Sequence, residues 1–225
     1  MTMKRVIVLF MVCCLILTGC ADFRKNDGGN AAIDAVTASP AEEPQRIIPL
    51  VDTTVENLSN AILAVSLEEG DAYVDDQGIM RMDLKIYAYD QYDMVDIANL
   101  KAGDIIVRHS GEVKVTLKEQ NETGTVHING GLENEGFDLV ADDSGVFYEM
   151  GYNDSKNWYQ IGEATIRVSV DFIFMDNSHP EQGEVLFYPG SFLIGEVTNY
   201  DFTPYNTTIR VEDGQIVEMN REYMP

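Results

Sequence analysis

The sequence predicts an all-β fold, an antiparallel barrel or sandwich with at most one or two short helices. Apolar and polar residues alternate with a period of two along several segments, as in strands that bury one face. Short turns rich in Gly, Asp and Asn separate these segments, and glycine supplies the positive φ that such turns need. No long segment with helical periodicity is available for parallel crossovers, so strands are expected to pack on strands.

Three alternating runs predict strands most clearly. They cover residues 79–89, 113–118 and 166–174. In the first run Met82, Leu84 and Ile86 share one face and alternate with charged residues. The closing segment TTIRVEDGQIVEMN predicts a hairpin, with strands on either side of Asp213-Gly214.

Two further segments need a choice between helix and strand. Residues 61–68 follow a capping-box motif and carry apolar positions at helical spacing, but they also alternate, and we expect a strand there. Residues 93–100 predict one or two turns of helix. Little helix is expected elsewhere.

The start of the chain has the order of an export signal. A cationic tip at Lys4 and Arg5 precedes an apolar run over residues 6–17, and the small pair Thr18-Gly19 follows. The apolar run is shorter than the about 20 residues that a membrane-spanning helix needs, so we expect it to be removed after export.

The sequence LTGC, residues 17–20, resembles the lipobox of bacterial lipoproteins. The resemblance implies that the thiol of Cys20 takes a diacylglyceryl group and that a dedicated peptidase then cuts just before this residue. A two-chain anchor holds far better than one acyl chain, since each buried methylene contributes about 0.8 kcal/mol. We therefore expect residues 1–19 to be a signal peptide, and the mature protein to be anchored to the cell membrane on its extracytoplasmic face.

Residues 20–46 are expected to be the lipidated cysteine and a flexible tether, because they are rich in Ala, Gly, Pro and charge. A coil of this length spans about 28 Å root-mean-square.

Residues 47–225 are then expected to form a single β-rich domain. Its segments LKAGDIIVRHSGEVKV, INGGLENEGFDLV and NTTIRVEDGQIVEMN are similar to uncharacterised lipoprotein domains of Gram-positive bacteria. This resemblance covers most of residues 58–225 and implies no known activity.

The composition is strongly acidic, with 38 Asp and Glu against 15 Lys and Arg. The formal net charge of −23 falls by two more when Lys4 and Arg5 leave with the signal. Such a charge repels nucleic acids and anionic headgroups, so no nucleic-acid partner is expected.

The cysteine count limits the chemistry of the domain. Cys13 and Cys14 also leave with the signal peptide, so Cys20 is the only mature cysteine. The domain therefore has no disulfide framework, no cysteine nucleophile and no cysteine-based zinc site.

Common catalytic and nucleotide-binding signatures are absent from the sequence, namely GxSxG, SxxK, HExxH, GxGxxG and the P-loop. His109, His127 and His179 lie on separate predicted segments without ligand-like pairing. We expect them to have surface or hydrogen-bonding roles rather than metal or catalytic ones.

The acidic residues offer one candidate metal site. Asp90, Asp93 and Asp96 recur every third residue in YDQYDMVD, so one helical turn would bring their carboxylates together. Calcium binds several such oxygens, which makes it the one cofactor to consider; otherwise none is expected. The spacing does not match an EF-hand loop, and capping or turn roles explain these aspartates at least as well.

The stretch FYEMGYNDSKNWY, residues 147–159, holds five aromatic side chains, including the only tryptophan. If they are exposed, Tyr152, Trp158 and Tyr159 form a platform for a sugar ring, a cationic group or a protein partner. The alternative is that these aromatic residues fill the core of the domain.

Together these features favour a non-catalytic domain, anchored through the lipid on Cys20, that binds a protein or a glycan at the cell surface. Two alternatives remain open. One is a hydrolase that acts on a surface glycan through paired carboxylates, which are defined by their separation in space rather than in sequence. The other is a structural component of a surface or transporter complex.

Overall fold

The computed structural model describes residues 43–50, 55, 58–151 and 154–224. They form two separate apolar cores, and we name a lobe after each. The barrel lobe comprises residues 58–89 and 158–224, and the inserted lobe comprises residues 43–50, 90–151 and 154–157. The predicted signal peptide, Cys20, most of the predicted tether and Tyr152 lie outside the described residues.

Strands predominate, and the all-β prediction is confirmed. In chain order the strands are β1 (Arg46–Ile47), β2 (Ala61–Ser66), β3 (Ala72–Val74), β4 (Met80–Ala88), β5 (Gln91–Tyr92), β6 (Ile105–Arg108), β7 (Gly111–Lys114), β8 (Lys118–Gln120), β9 (Val126–Ile128), β10 (Phe137–Ala141), β11 (Phe147–Glu149), β12 (Tyr159–Asn177), β13 (Val185–Phe187), β14 (Thr207–Glu212) and β15 (Gln215–Glu222). The helices are α1 (Met94–Asn99) and α2 (Pro189–Leu193), and a 3-10 turn covers Leu132–Asn134. In the part of the chain described, no helix has the length and apolar character to cross a bilayer.

The barrel lobe contains a closed five-stranded barrel. Its ladder runs through β2, β4, β12, β15 and β14 and returns to β2, while β3 pairs with β4 and β13 pairs with β12. Two pairings depart from the predicted antiparallel pattern: β12 runs parallel to β15, and β1 runs parallel to β6. The first is possible because a long connection that contains β13 and α2 separates β12 from the final hairpin.

Strand β12 is 19 residues long and closes the barrel. Its first half pairs with β4 and its second half with β15, and the register shifts between Val168 and Ile173. Val170 lies within that shift and is 84% exposed. A Cβ on Gly162, beside a second register shift, would stand 2.5 Å from Val55 Cγ2, so a larger residue there would displace the Val55 side chain.

The barrel core is apolar and receives alternate residues from each barrel strand, as period-two patterning predicts. Its most deeply buried side chains, 0% exposed, are Val65, Met82, Ile86, Phe172, Phe174, Ile216 and Met219. Such burial contributes about 25 cal/mol per Å² of apolar surface, which makes this core the main source of stability for the barrel lobe.

A buried ion pair lies beside the barrel core. Arg221 is 2% exposed, and its Nε donates to Asp176 Oδ1 at 3.0 Å while its Nη1 donates to the carbonyl of Asn199 at 2.8 Å. The guanidinium carbon also lies 4.4 Å from the ring centroid of Phe202. Burial alone would raise the pKa of Asp176, but the hydrogen bonds from Arg221 and Ser178 outweigh it and lower that pKa.

The inserted lobe consists of two small sheets, ordered β1-β6-β7 and β5-β11-β10-β9-β8. Their inner faces enclose the second core, which includes Ile47, Tyr92, Ile97, Leu100, Ile106, Val115, Val126, Ile128, Phe137, Leu139 and Phe147. The last residues of the predicted tether are already tied to this lobe. The backbone N–H of Gln45 donates to Asp104 Oδ1 at 2.8 Å, and Arg46 begins β1.

Most strand and helix predictions are confirmed. The run 79–89 is β4, the segment 61–68 contains β2, the run 166–174 lies within β12, and the closing hairpin is β14 and β15. The helical turns expected over 93–100 are α1, whose first turn is capped by the carboxylate of Asp93, which accepts from the backbone N–H of Val95 at 2.7 Å.

The single strand expected over 113–118 is wrong. β7 ends at Lys114 and β8 begins at Lys118, because the chain passes between the two sheets of the inserted lobe at this point. The side chain of Asn129 stabilises this connection between β7 and β8. Its Oδ1 accepts from the backbone N–H of Thr116 at 2.7 Å and from that of Leu117 at 3.2 Å. Leu117 is consequently 45% exposed, whereas Val115 is fully buried.

Candidate functional site

Two of the three predicted aromatic binding residues, Trp158 and Tyr159, lie where the chain returns from the inserted lobe to the barrel lobe. They have different surroundings because successive residues of an extended chain point to opposite sides. Trp158 packs edge-to-face on Tyr89 with the ring centroids 4.8 Å apart. Tyr159 stacks on His109 at 3.8 Å and donates its hydroxyl to Asp90 Oδ1 at 3.0 Å. Trp158 therefore belongs to the candidate site, and Tyr159 belongs to a neighbouring polar network.

Three rings surround one ammonium group, and we call Tyr89, Tyr148, Trp158 and Lys156 the aromatic cluster. Lys156 Nζ lies 4.3 Å from the ring centroid of Tyr89, 5.7 Å from that of Tyr148 and 5.8 Å from that of Trp158. It also donates to Tyr89 Oη at 3.0 Å. Together these cation–π contacts contribute about 0.5–1 kcal/mol at a partly exposed site. One lysine thus holds rings from three different segments in a defined arrangement.

The backbone around Lys156 is anchored as well. The Lys156 carbonyl accepts from the N–H of Trp158 at 3.0 Å, and the N–H of Asn157 donates to the carbonyl of Glu149 at 2.9 Å. A β-bridge joins Lys156 to Met150. These bonds position both the lysine and the tryptophan relative to β11, so the cluster does not depend on side-chain packing alone.

A groove of about 170 Å³ opens beside the aromatic cluster. It is lined by Ile62, Leu63, Ala64, Tyr87, Ala88, Tyr89, Gln91 and Trp158. It forms where β2 and β4 separate, since their register runs from Ser66 opposite Lys85 only as far as Ala64 opposite Tyr87. Ile62 is 74% exposed at its border. Ordinary ligand pockets measure about 300–1,000 Å³, so this groove accommodates a single ring rather than a whole ligand.

A network of buried polar groups, the polar junction, joins the two lobes next to this groove. Its centre is Asp90, which is 3% exposed and accepts from the backbone N–H of His109 at 2.8 Å and from the hydroxyl of Tyr159. Burial raises the pKa of Tyr159, and the carboxylate of Asp90 raises it further. The Tyr159 hydroxyl is therefore held protonated, as a donor to Asp90.

The second carboxylate of the polar junction is Glu149, which is 4% exposed. It forms an ion pair with Arg108, whose Nε lies 2.7 Å from Oε2, and it accepts from Asn157 Nδ2 at 2.7 Å. Tyr92 lies nearby and donates its hydroxyl to the carbonyl of Val107 at 3.0 Å. Burial raises the pKa of Tyr92, and the charges of Asp90 and Glu149 add to the effect.

The three aspartates considered for calcium have separate roles. Asp90 is buried in the polar junction, Asp93 caps α1, and Asp96 is exposed in the first turn of that helix. Across the described ranges, no group of three or more His, Cys, Asp or Glu side chains is arranged to hold a metal ion.

Each histidine has a carboxylate neighbour. His109 Nδ1 lies 3.5 Å from Asp90 Oδ2, and His179 Nδ1 lies 3.5 Å from Glu181 Oε1. His127 Nδ1 lies 2.7 Å from Asp138 Oδ1, within a cleft of about 290 Å³ that Glu119 and Glu133 also line. The buried carboxylates of the described chain all accept hydrogen bonds; they are Asp90, Asp104, Asp138, Glu149 and Asp176.

Sequence reasoning missed four residues of the site. Lys156 lies inside the aromatic stretch that drew attention to Trp158, and a cation among aromatic residues is a signal that could have found it. Tyr89 and Tyr148 are distant in sequence from each other, and Ile62 belongs to another strand. The pairing of β11 with β5 brings Tyr148 close to Tyr89, and the pairing of β2 with β4 brings Ile62 to the same place.

Searches against protein-family models, curated proteins and solved structures gave no match to this chain.

Proposed function

We propose that this chain is a lipid-anchored, extracytoplasmic domain without catalytic activity, which binds a sugar ring of a surface glycan in the groove beside the aromatic cluster. The observation that carries the proposal is the arrangement of Tyr89, Tyr148 and Trp158, held around Lys156 at the border of an open groove. Tyrosine and tryptophan offer an apolar ring face together with a polar edge, which suits the amphipathic surface of a sugar. Gln91 adds an amide to the lining.

A neutral ring fits this site better than a cationic ligand. The ammonium group of Lys156 already lies over the Tyr89 ring and close to the other two rings. A cationic ligand would have to displace it and break its 3.0 Å hydrogen bond to Tyr89. A neutral ring leaves Lys156 in place and can accept a hydrogen bond from it.

The position of the buried carboxylates supports a non-catalytic role for this groove. A glycosidase needs two carboxyl groups that face one cleft, about 5–5.5 Å apart for retention and about 6.5–9.5 Å apart for inversion. Asp90 and Glu149, next to the aromatic cluster, are both occupied by donors from the polar junction. Neither lines the groove.

The binding proposal is tested on a glycan array with the full-length chain purified in detergent. We expect binding to at least one surface glycan, and we expect Trp158→Ala to reduce the apparent affinity by at least about tenfold, since stacked aromatic residues dominate such contacts. Tyr205→Ala is the matched control, because Tyr205 is 41% exposed and lies outside the groove. Equal loss in both variants, or no glycan bound by the wild type, would contradict the proposal.

The proposed anchor is tested separately by metabolic labelling with radiolabelled palmitate. We expect the wild-type chain to carry label and the Cys20→Ala variant to carry none, because Cys20 is the acceptor in the lipobox-like sequence. Cys14→Ala is the control and should be labelled like the wild type, since Cys14 leaves with the signal peptide. Label that persists in Cys20→Ala would exclude this site of lipidation.

One observation favours a second candidate function, a hydrolase. In the cleft of the inserted lobe, Asp138 orients the imidazole of His127, and Glu119 lies directly opposite His127 in the ladder of β8 and β9. A carboxylate-held imidazole is a common arrangement for a general base. Turnover of a cell-wall glycan that is lost in His127→Ala but retained in Trp158→Ala would favour this candidate over the binding domain.

A further inference from the structure

The edge strand β3 and helix α2 border a second groove, far larger than the one beside the aromatic cluster. Its volume is about 670 Å³, within the range of ordinary ligand sites. Ala72 and Val74 of β3 lie along it, and Leu193, Val197 and Tyr200 contribute from α2 and the segment that follows.

The backbone of β3 is hydrogen-bonded along one side within the described residues. The carbonyl of Asp71 accepts from the N–H of Asp83 at 2.9 Å, and the N–H of Asp75 donates to the carbonyl of Ile79 at 2.9 Å. In an antiparallel pair the bonded positions alternate, so residues 71, 73 and 75 turn their backbone groups toward β4. The N–H and C=O groups of Ala72 and Val74 therefore face the groove, and β3 has no second strand partner in the described chain.

The edge strand β3 is only three residues long and reads Ala-Tyr-Val. It carries neither of the two residue types, lysine and proline, that often block pairing at a sheet edge. Val74 is 48% exposed, and across the groove Leu193 is 44% exposed. An added strand would cover both side chains while it bonds to the free backbone groups.

The charge of the groove selects the chemistry of its occupant. Glu69 is the one charged residue among the described residues that line it. Burial raises the pKa of Tyr200, and the negative charge of Glu69 raises it further. The carboxylate of Glu69 is therefore close enough to affect another side chain that lines the groove. The chain as a whole carries a formal charge of −23, which opposes pairing of this edge with a second copy and favours a basic occupant.

We propose that this groove binds an extended basic peptide segment of a protein partner, which adds a strand to β3, packs alternate apolar side chains against Val74 and Leu193, and places a lysine or arginine beside Glu69. This mode of recognition draws affinity from backbone hydrogen bonds and specificity from pockets for alternate side chains. This binding surface is separate from the groove beside the aromatic cluster. With both surfaces occupied, the domain links a protein partner to a surface glycan.

The probes are two fluorescein-labelled peptides of alternating valine and threonine, one ending in two lysines and the other in two glutamates. Fluorescence anisotropy with the full-length chain in detergent should show the lysine peptide binding at least about tenfold more tightly. Leu193→Asp should weaken it by at least about tenfold, and Glu69→Lys should reverse the preference between the peptides. Val170→Asp is the matched control and should bind like the wild type, because Val170 is 84% exposed on β12 outside this groove.

A third peptide carries N-methyl groups on every amide of the lysine probe, which blocks both of its edges, and tests the backbone contribution. Strand addition predicts that it does not bind, whereas equal binding of the methylated peptide would overturn the proposal. Equal binding of the lysine and glutamate peptides would also overturn it. A third outcome would overturn the proposal as well: sedimentation shows that the wild type is a dimer and that Leu193→Asp is a monomer. The edge of β3 would then be a contact between two copies of the chain.

Discussion

The barrel lobe and the inserted lobe are stabilised by different means. The barrel lobe has a closed ladder with one strand of 19 residues around an apolar core. The inserted lobe has strands of two to five residues, and buried polar groups connect it to the barrel lobe. Because short strands gain little from their ladders alone, the inserted lobe depends more on its core and on the polar junction. The aromatic cluster takes Tyr89 from one lobe and Tyr148 from the other, so its geometry depends on that junction.

The largest effect should come from the buried ion pair of the barrel lobe. Arg221→Met leaves Asp176 buried without its cation, and we expect the free energy of unfolding to fall by about 3–5 kcal/mol. Urea denaturation of the full-length chain measures this change. The double variant Arg221→Met/Asp176→Leu should recover much of the loss, because it removes the unpaired charge.

Arg210→Met is the control for this prediction. Arg210 pairs with Glu212 and Glu218 on the surface of the barrel, where solvent screens the interaction, so its loss should be much smaller. If Arg210→Met and Arg221→Met lower the free energy of unfolding equally, the claim that burial makes the Arg221 ion pair more important for stability is contradicted.

A smaller and more local effect is expected at the polar junction. Tyr159→Phe removes the hydroxyl that donates to Asp90, and a buried acceptor left without its donor costs about 1–3 kcal/mol. Hydrogen exchange should accelerate in the inserted lobe and leave the β14 and β15 amides protected. Uniform acceleration throughout both lobes would contradict the claim that the junction holds the inserted lobe in particular.

The two lobes should also differ in their dependence on pH. The folded pKa of Asp176 is lowered, so the unfolded state binds the proton more readily, and the stability from this group is lost as pH falls below about 4. The part of the acid-induced loss that comes from Asp176 belongs to the barrel lobe. It should be much reduced in the double variant Arg221→Met/Asp176→Leu when the midpoint of thermal unfolding is followed from pH 6 to pH 3, and an unchanged acid dependence would contradict the assignment.

Alkaline conditions should act mainly on the inserted lobe and its junction, although Tyr200 of the barrel lobe also has a raised pKa. The folded pKa values of Tyr92 and Tyr159 are raised, so the folded state retains protons that the unfolded state releases, and stability falls as pH rises above about 10. Tyr159→Phe removes one of these groups and should flatten the alkaline decline. The absorbance of tyrosinate, followed against pH, counts the tyrosines that titrate late. If the wild type lacks the two late-titrating groups expected from Tyr92 and Tyr159, the prediction is contradicted.

The smallest effect on stability should come from the aromatic cluster itself. Lys156→Met removes the cation–π contacts and should lower the free energy of unfolding by about 0.5–1 kcal/mol, while the near-ultraviolet circular dichroism of the rings changes more clearly. Lys114→Met, at an exposed residue of β7, serves as the control with an unaltered spectrum. Identical spectra for both variants would mean that Lys156 does not order the rings.

Period-two patterning was enough to predict β4, β12 and the final hairpin, because each of these strands buries one face in a core. It could not reveal that the cores are separate. Val126 and Ile128 alternate with His127 just as Leu63 and Val65 alternate with Ala64, yet the first pair lies in the inserted lobe and the second in the barrel lobe. Which core a strand joins is decided by strand pairing at long sequence separation.

The candidate site was predictable only in part. Trp158 stood out as the single tryptophan in an aromatic stretch, but Tyr159 was assigned to the same surface although neighbouring residues of a strand face opposite sides. The groove depends on the separation of β2 from β4 after Ala64, and no feature of the local sequence marks that point.

The most direct test of the central claim uses the fluorescence of Trp158, which is the only tryptophan of the chain. Oligosaccharides of N-acetylglucosamine, glucose, galactose and mannose are titrated into the full-length chain in detergent. A ring that occupies the groove must alter the environment of this indole, so we predict a saturable change in emission with at least one oligosaccharide and its loss in Tyr89→Ala. An oligosaccharide that binds by calorimetry while the emission of Trp158 stays constant would contradict the account.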